Sequence, residues 1–235
     1  MVSSYIAVDL ETTGLDPKQD KIIEIGAVKV VDGQIRESYE TFVNPYRKLD
    51  IRVIMLTGIN DRQLEASPGI GEVLGGFLKF AEGLPILGHH VIFDYSFLKR
   101  AAINEGRSFE RQGIDTLKLA RKFMPPDEKK NLAAACEYFG IAQTLCHRAL
   151  ADAKAAHGLY QEMAKRYGEE SPEAFGSQAL IYKAKKEQPA SKRQKEHLQD
   201  LLKYHKIVLS VQTEHLSRNE ISRITDKIIA QYGRI

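Results

Sequence analysis

The sequence predicts an α/β domain followed by a small helical module, and two observations support this. Three segments rich in β-branched and aromatic residues come first, and segments with apolar residues at helical spacing follow them. A stretch with proline, glycine and lysine then precedes two further amphipathic helices. The length of 235 residues accommodates one α/β domain with an appendage. Hydrophobic residues at 43% and charged residues at 28% exclude a wholly disordered chain.

The predicted domain opens as a β-meander and continues with helices. Strands are predicted over residues 5–10, 22–31 and 35–43, with a hairpin turn at Asp32-Gly33. A short buried strand is predicted over residues 84–88. Apolar residues at helical spacing, bounded by glycine and proline, predict helices over residues 71–81, 93–105, 116–123, 130–139 and 149–166.

We divide the chain into a domain over residues 1–168, a basic linker over residues 169–190 and a helical module over residues 191–235. The linker contains prolines and a lysine run, which are typical of connecting segments. In the module, Ser191 and Ser217 each begin a capping-box pattern, so a helix should start at each. Leucines on one stripe of the first helix and isoleucines on the second predict a small helical hairpin that buries one seam.

No apolar run approaches the ~20 residues that a membrane span requires, and the first residues lack the pattern of a signal peptide. These observations predict a cytoplasmic protein with no membrane partner. The two cysteines, Cys136 and Cys146, are too few for a disulfide framework and lack metal-site spacing. Both are therefore expected to be reduced thiols.

Two carboxylates stand two residues apart at the end of the first predicted strand. Asp9 and Glu11 follow the apolar residues 6–8, and the period of a strand places both side chains on the same face. Two adjacent anions on a buried strand repel each other, and burial without a cation would cost several kcal/mol each. Hard oxygen ligands favour Mg²⁺ or Mn²⁺. The alternative is a solvated strand end with no bound ion.

Two further acidic positions lie near predicted helix starts. Asp94 follows a short strand and, taken alone, would serve as a helix cap. Asp152 lies in the first turns of an alanine-rich helix, and His147 lies in the loop before it. A lone histidine in a loop is usually only solvated. His89 and His90 are neighbours that would point in opposite directions, so a zinc site is rejected there.

Together these groups resemble the DEDD-type 3′→5′ exonucleases of the ribonuclease H-like fold, in the branch whose third motif is His-x-Ala-x-x-Asp. The resemblance covers roughly residues 5–166. Within this family, the chain is similar to the proofreading subunit of bacterial DNA polymerase III and to the exonuclease domain of the Gram-positive replicative polymerase. The matching positions, in order along the chain, are Asp9, Glu11, Asp94, His147 and Asp152.

The resemblance implies a mixed sheet flanked by helices and a site with two divalent metal ions, Mg²⁺ or Mn²⁺, held by the four carboxylates. Without metal, four carboxylates would repel an anionic phosphodiester. His147, with a reference pKa of about 6.5, is then the general base that takes the proton of the attacking water. Nucleoside 5′-monophosphates would leave one at a time from a 3′ end.

Family analogy also assigns residues to the pocket for the terminal nucleotide. Leu15 is expected to wedge the last bases apart. One departure is His90, since the family often has asparagine at this position, although histidine can still donate a hydrogen bond to a phosphate or sugar oxygen. The expected substrate contacts are Thr12, Thr13, Leu15, Leu56, His90, Phe93 and Phe97. For Leu56, Phe93 and Phe97, the alternative is a place in the core.

Basic residues are concentrated in the last quarter of the chain. Residues 1–175 carry 22 Lys and Arg against 25 Asp and Glu, whereas residues 176–235 carry 12 against 6. This asymmetry indicates a polyanionic partner. Phosphate contacts are expected from Lys183, Lys185, Lys186, Lys192, Arg193 and Lys195.

Two other interpretations of the tail stay open. The module could dock on a replicative polymerase or a clamp, and residues 178–182 resemble a clamp-binding peptide. Alternatively, the tail is a solvated linker with a self-packed module.

The first functional hypothesis is a metal-dependent 3′→5′ exonuclease on single-stranded or frayed DNA ends, in proofreading or repair. The second is the same chemistry on RNA 3′ ends. The third is a catalytically silent nucleic-acid-binding or scaffold protein, although it leaves five intact site residues unexplained.

Overall fold

The computed structural model describes residues 1–143 and 147–235, and a six-stranded sheet forms the centre of its first part. The strands are β1 (Tyr5–Thr12), β2 (Ile22–Val31), β3 (Gln34–Phe42), β4 (Ile86–Gly88), β5 (Gln112–Asp115) and β6 (Gln178–Ala179). Their order across the sheet is β3-β2-β1-β4-β5-β6. β1, β4 and β5 run parallel to one another, while the remaining neighbours are antiparallel. This mixed sheet confirms the predicted α/β class.

Helices cover both faces of the sheet. Those of this part are α1 (Ile51–Thr57), α2 (Asp61–Glu65), α3 (Ile70–Ala81), α4 (Ile92–Asn104), α5 (Thr116–Phe123), α6 (Leu132–Phe139) and α7 (Ala149–Tyr167). Apolar residues of α5, α6 and α7 form a core on one face, and those of α3 and α4 form a second core on the other. Among the described residues, no helix is both long and apolar enough to cross a membrane.

The predicted strands and longer helices are confirmed to within about three residues, but α1, α2 and β5 were not predicted. These elements have seven, five and four residues, which is too short for a periodic pattern to be recognised. Their ends do carry local signals. The Asp50 side chain accepts from the backbone N–H of Arg52, and Gly58 ends α1 in the left-handed region with φ 71°.

Residues of β1 alternate between the two cores. Tyr5 and Ala7 face the helix layer of α7, whereas Ile6 and Val8 face α3 and α4. Asp9 and Glu11 continue the first series, so the period of the strand turns both carboxylates toward α7. The sequence prediction that these two side chains share a face therefore fits the sheet.

A glycine in β2 allows the first turn of α7 to approach the sheet. Gly26 pairs with Asp9 across the β1–β2 ladder. A Cβ at this position would lie 2.0 Å from the backbone nitrogen of Leu150 and 2.1 Å from the carbonyl carbon of Ala149. Both neighbours are backbone atoms, which cannot rotate away. Gly26 thus fixes how closely the start of α7 packs on the strands that carry Asp9 and Glu11.

We expect Gly26→Ala to destabilise the protein by about 2–3 kcal/mol, because the added methyl group must push helix and sheet apart. The measurement is the midpoint of urea unfolding. Gly75→Ala is the matched control, since its Cβ would meet only the flexible Arg107 side chain at 3.4 Å within α3. That change should be neutral or slightly stabilising because alanine favours helix. An unaltered midpoint for Gly26→Ala would contradict the packing argument.

The expected linker over residues 169–190 is structured in its first part, which corrects the predicted boundary. A short 3-10 helix covers Pro172–Phe175, and Phe175 is fully buried in the α7-side core. β6 then pairs with β5, with Gln178 opposite Gly113. The first compact unit comprises Met1–Pro45 and Leu49–Ala184. Proline and glycine in this stretch mark turns of the domain and not a free connection.

The second compact unit comprises Tyr46–Lys48 and Lys185–Ile235, with helices α8 (Lys192–Tyr204) and α9 (Arg218–Tyr232). Both predicted capping boxes are present, at Ser191 and Ser217. The predicted leucine and isoleucine stripes share one core. Three residues from early in the chain belong to this unit, where Arg47 Nη2 lies 2.8 Å from Glu220 Oε1.

α8 and α9 do not form the expected hairpin, because like ends of the helices meet. Gln194 Nε2 near the start of α8 donates to Ser222 Oγ near the start of α9, at 3.3 Å. At the other ends, His205 Nε2 lies 3.2 Å from the carbonyl oxygen of Gly233. The helices are therefore side by side in the same direction. The connection between α8 and α9 has about a dozen residues and, when extended, is longer than the ~20 Å of α8. It can therefore lead the chain back from the end of α8 to its start.

Candidate active site

The face of the sheet under α7 changes from apolar to acidic along β1. In the β1–β2 ladder, Ala7 pairs with Val28, Asp9 pairs with Gly26, and Glu11 pairs with Glu24. The first turns of α7 lie over this acidic end. Elements that are far apart in the sequence thus bring carboxylates from β1, β2 and α7 to one place.

The tightest group of possible metal donors consists of Glu11, His147 and Asp152. One carboxylate oxygen of each acid and one imidazole nitrogen all lie within 4.8 Å of one another. Glu11 is 9% exposed and Asp152 is 8% exposed, whereas His147 is open to solvent. The predicted convergence of the first and third motifs is therefore present in the structure, with the histidine at its solvent side.

Backbone geometry fixes the loop that carries the histidine. The backbone N–H of His147 donates to Asp152 Oδ2 at 2.9 Å, and Gln143 Nε2 donates to Asp152 Oδ1 at 3.3 Å. His147 has φ 60°, a conformation that costs energy for residues other than glycine. The loop backbone at His147 is held while its ring stays exposed. The general expectation that a lone loop histidine is only solvated is therefore not sufficient here. Cys146 lies outside the described residues.

Asp94 joins the site from α4 but is not the helix cap that its position alone suggests. Its Oδ1 accepts from the backbone N–H of Leu10 in β1 at 3.1 Å, and the residue is 3% exposed. Val91 occupies the cap position without a side-chain cap. The carboxyl group of Asp94 therefore points toward the strand between Asp9 and Glu11.

Burial raises the pKa of each of the four predicted metal ligands. Removal from water raises the pKa of Glu11 to about 7, and the charges of Asp152 and Glu24 add to the rise. Burial also holds the pKa of Asp9 well above its usual range, with further rises from Asp94 and Glu11. The pKa values of Asp94 and Asp152 are raised as well, by burial first. Asp9 and Asp94 thus interact with the tight group through their charge.

This concentration of buried anionic oxygens fits a divalent cation. Among the ion pairs of the described residues, the cation at this acidic end is Arg148, and its partners are Glu24 and Glu40. In the part of the chain that the structure describes, none of the four predicted ligands forms an ion pair with a lysine or an arginine. Carboxylate oxygens with one imidazole are donors that suit Mg²⁺ or Mn²⁺. The residues present thus fit the metal site that the four carboxylates predict.

The metal-free protein should lose stability as the pH rises. A carboxyl group whose pKa is higher in the folded state binds more protons folded than unfolded, so the unfolding free energy falls with increasing pH. For Glu11 the change runs from its ordinary value of 4.5 to about 7. We expect a falling melting temperature over this interval in EDTA and a flatter profile for Glu11→Gln. Glu137→Gln, on the exposed face of α6, is the control and should keep the wild-type profile.

Residues expected to line the nucleotide pocket differ in accessibility. Leu15 is 83% exposed and Leu56 is 56% exposed, so both can reach a ligand. The hydroxyl groups of Thr12 and Thr13 already have partners, because Thr12 donates to the Gly14 carbonyl and Thr13 donates to Asp20. Thr12 and Thr13 therefore use their hydroxyl groups to hold the turn after β1. The other atoms of these two residues remain available to a substrate.

Phe97 is not available to a nucleotide, which corrects its assignment. It is 3% exposed and packs in the core against Phe93, with ring centroids 5.0 Å apart. Phe93 is half-buried and His90 is exposed, so these two can still contact a ligand. His89 is a structural residue, since its Nε2 lies 2.7 Å from the Lys130 carbonyl oxygen. This contact is consistent with the rejection of a zinc site.

Residues of the basic tail are mostly exposed. Lys195 is half-buried and donates to the Glu214 carbonyl at 3.0 Å. The exposed members are Lys183, Lys185, Lys186, Lys192 and Arg193. The resemblance of residues 178–182 to a clamp-binding peptide is not supported, because Leu180 and Tyr182 pack against the α3–α4 core. Their side chains are thus not free to enter a clamp.

Sequence reasoning missed Glu24 and Arg148. Glu24 is fully buried near the start of β2, and two nitrogens of Arg148 donate to it. A charged residue within the apolar run 22–28 was the available signal, since buried charges are rarely left without a partner. Its partner could not be found from spacing, because 124 positions separate the two residues.

Comparison with known proteins supports a nuclease. A family model described as exonuclease matches residues 6–160. The PolC-type DNA polymerase III of Clostridium perfringens is 37% identical over 166 residues, which cover 71% of this chain and 12% of that protein. The chain thus spans about an eighth of the length of this relative.

Solved structures show the same fold. Exonuclease I of E. coli in complex with a dT13 oligonucleotide matches with a TM-score of 0.62 and 19% identity, over 74% of this chain and 43% of that chain. Exonuclease X in complex with 5′-overhanging duplex DNA matches with a TM-score of 0.56 and 24% identity, over 72% and 98% of the two chains. The family match covers more than half of the chain, and the ribonuclease H-like sheet and the acidic cluster agree with it. This chain therefore belongs to the exonuclease family.

Proposed function

We propose that the protein is a metal-dependent 3′→5′ exonuclease that releases nucleoside 5′-monophosphates from DNA ends. The observation that carries the proposal is the group formed by Glu11, His147 and Asp152, whose donor atoms lie within 4.8 Å of one another. Asp9 and Asp94 add negative charge beside it, as the pKa of Asp9 indicates. Acidic residues of this kind without a basic partner suit phosphodiester hydrolysis only when cations are bound.

Four carboxylates would hold two divalent ions in this proposal, namely those of Asp9, Glu11, Asp94 and Asp152. When bound, such ions supply the positive charge that offsets the anionic phosphodiester. His147 then accepts a proton from the attacking water through its exposed ring, and it can pass that proton to solvent. Asp152 accepts from the His147 backbone, so the base stays close to the acidic cluster in each turnover.

DNA is the proposed substrate class. The relative from C. perfringens is named as a DNA polymerase, and both structural neighbours were solved with DNA. Leu15 and Leu56 are the exposed apolar side chains that we assign to the terminal bases, with His90 and Phe93 beside them. The polymerase name also favours proofreading or repair, with a replicative polymerase as the proposed partner.

The test is incubation of the full chain with 3′-labelled single strands of DNA and of RNA, in Mg²⁺, Mn²⁺ or EDTA. Labelled 5′-monophosphate released from DNA with either metal, and not in EDTA, is the expected result. Release from RNA alone would replace DNA by RNA as substrate. Silence with every metal would overturn the proposal in favour of a binding or scaffold protein.

We also propose that the basic tail contacts nucleic-acid phosphates. Replacement by glutamine of the exposed residues Lys183, Lys185, Lys186, Lys192 and Arg193 should reduce the salt dependence of single-strand binding. Each lost phosphate contact lowers the slope of log K against log salt by about 0.7. A variant with Lys79→Gln and Lys165→Gln, on exposed faces of α3 and α7, is the control. An unchanged slope would exclude the phosphate contacts.

A further inference from the structure

We infer that Arg148 and Glu24 form a positioning pair, which holds the segment 147–152 so that His147 stays beside Glu11. The inference rests on the proposed function for its kinetic consequences and on the contacts below for its structural ones. Neither residue is among the four carboxylates and the histidine assigned to the chemistry.

Glu24 is the most deeply buried acid at this end of the sheet. It is fully inaccessible and lies opposite Glu11 in the β1–β2 ladder. Burial of an ionised carboxylate is costly unless charged and hydrogen-bonded partners satisfy it. Three contacts do so here. Arg148 Nη2 and Nε donate to Glu24 Oε1 at 2.9 and 3.2 Å, and the backbone N–H of Ala149 donates to Oε2 at 3.1 Å.

These contacts explain why Glu24 is not part of the donor group of Glu11, His147 and Asp152, although the ladder places it on the same face. Both of its oxygens are already engaged by the chain. Without the guanidinium, Glu24 would be a further anion next to Glu11, and its charge already raises the pKa of Glu11. Arg148 thus neutralises Glu24, a buried carboxylate of this face that has no ligand role.

Arg148 is anchored at a second strand as well. Its Nη2 also lies 3.4 Å from Glu40 Oε1, and its guanidinium lies 5.4 Å from the ring centroid of Phe42. Both partners belong to β3. Arg148 is therefore attached to two strands, and His147 is its direct neighbour in the chain. A shift of the Arg148 backbone would therefore also displace the backbone of His147, which is held at φ 60°.

The pair acts on the loop and not on the helix as a whole. Gly26 packs against the backbone of Ala149 and Leu150, and α7 buries a long apolar face in the core. These contacts remain when Arg148 is changed. Loss of the pair should therefore misplace His147 while the fold and the four carboxylates stay.

The experiment compares Arg148→Met and Arg148→Lys in the full chain. We expect kcat to fall about 100-fold for Arg148→Met, with KM for DNA and Mn²⁺ affinity within about threefold of wild type. Arg148→Lys should recover part of kcat, because an ammonium group restores the charge but not both hydrogen bonds. Arg166→Met is the matched control, since this arginine lies on the same helix, pairs with Glu162 and packs on Phe139.

Amide hydrogen exchange gives a readout that is independent of activity. Exchange at His147 and Ala149 should be at least about tenfold faster in Arg148→Met and in Glu24→Gln, and unchanged in Arg166→Met. Full kcat with wild-type exchange in Arg148→Met would overturn the inference. So would a loss of activity caused only by weaker Mn²⁺ binding, with the His147 amide unaffected.

Two further outcomes are distinguishable. If Arg148→Met does not fold, Arg148→Lys carries the same measurements, and wild-type exchange and kcat in that variant would overturn the inference. If the wild-type protein cleaves no substrate, the proposed function fails. In that case, the exchange data alone decide whether the pair positions the loop.

Discussion

Replacement of Asp9 by asparagine is expected to reduce exonuclease activity at least ~10³-fold, the largest effect that we predict. An amide is a weak ligand for a hard divalent ion, so the substitution removes one proposed ligand with little change in volume. The measurement is the initial rate of monophosphate release from a 3′-labelled DNA single strand. Asp127→Asn, an exposed aspartate in the loop before α6, should retain the wild-type rate.

Asp9→Asn should also separate stability from activity. In EDTA it should melt at a higher temperature than the wild type at pH 8, because one of several mutually repelling carboxylates is gone. Mn²⁺ should raise the melting temperature of the wild type more than that of the variant, since ligands stabilise the state that binds them. If Asp9→Asn had full activity in saturating Mn²⁺, the assignment of Asp9 as a metal ligand would be wrong.

His147→Ala is expected to lower kcat by ~10²–10⁴ while metal binding remains, because general-base catalysis contributes about that factor. The structure supports an effect on proton transfer and not on folding, since the ring is exposed and the loop is fixed through backbone contacts. The pH dependence of kcat should also differ from that of the wild type, because the proposed general base is absent. Single-turnover measurements at saturating DNA give the rate constant of the chemical step separately from product release.

The control for this variant is His197→Ala, an exposed histidine of α8 outside the acidic cluster. It should leave both kcat and the pH profile unchanged. Mn²⁺ titration should give similar affinities for wild type and His147→Ala. If His147→Ala kept full activity at neutral pH, the assignment of the general base would be wrong. If it lost Mn²⁺ instead, His147 would serve as a ligand, which its distance from Glu11 and Asp152 allows.

The predicted and the observed placement of the acidic residues agree where local rules were strong. The period of β1 placed Asp9 and Glu11 on one face, and the alternation of Tyr5 and Ala7 with Ile6 and Val8 between two cores has the same origin. Asp94 was a weaker case, because an acidic residue near a helix start is usually a cap. Only its hydrogen bond to Leu10 distinguishes the two roles.

Phe97 is the opposite case. The family pattern assigned it to the nucleotide pocket, but the surrounding residues bury its side chain. A helix residue can face either the core or a ligand, and the spacing of Phe93 and Phe97 is compatible with both. The predicted boundary between the domain and the linker, at residue 168, was wrong for a related reason. Turn residues near Gly168 indicate an end of regular structure, but they do not tell whether the chain leaves the domain or returns as an edge strand such as β6.

The five residues of the proposed chemistry were identified through the family resemblance, because local rules alone describe Asp94 as a helix cap and His147 as solvated. Local patterns were sufficient for the order of the main strands and helices and for both capping boxes. Each of these depends on neighbours within a few positions, where periodicity and capping act. Partners across the chain required the folded molecule. The contact of Glu24 with Arg148, the membership of Tyr46–Lys48 in the second unit and the parallel arrangement of α8 and α9 all join segments that no short-range rule connects. Such contacts form only when packing of the sheet and helices brings distant segments together, so their identity is a property of the three-dimensional arrangement.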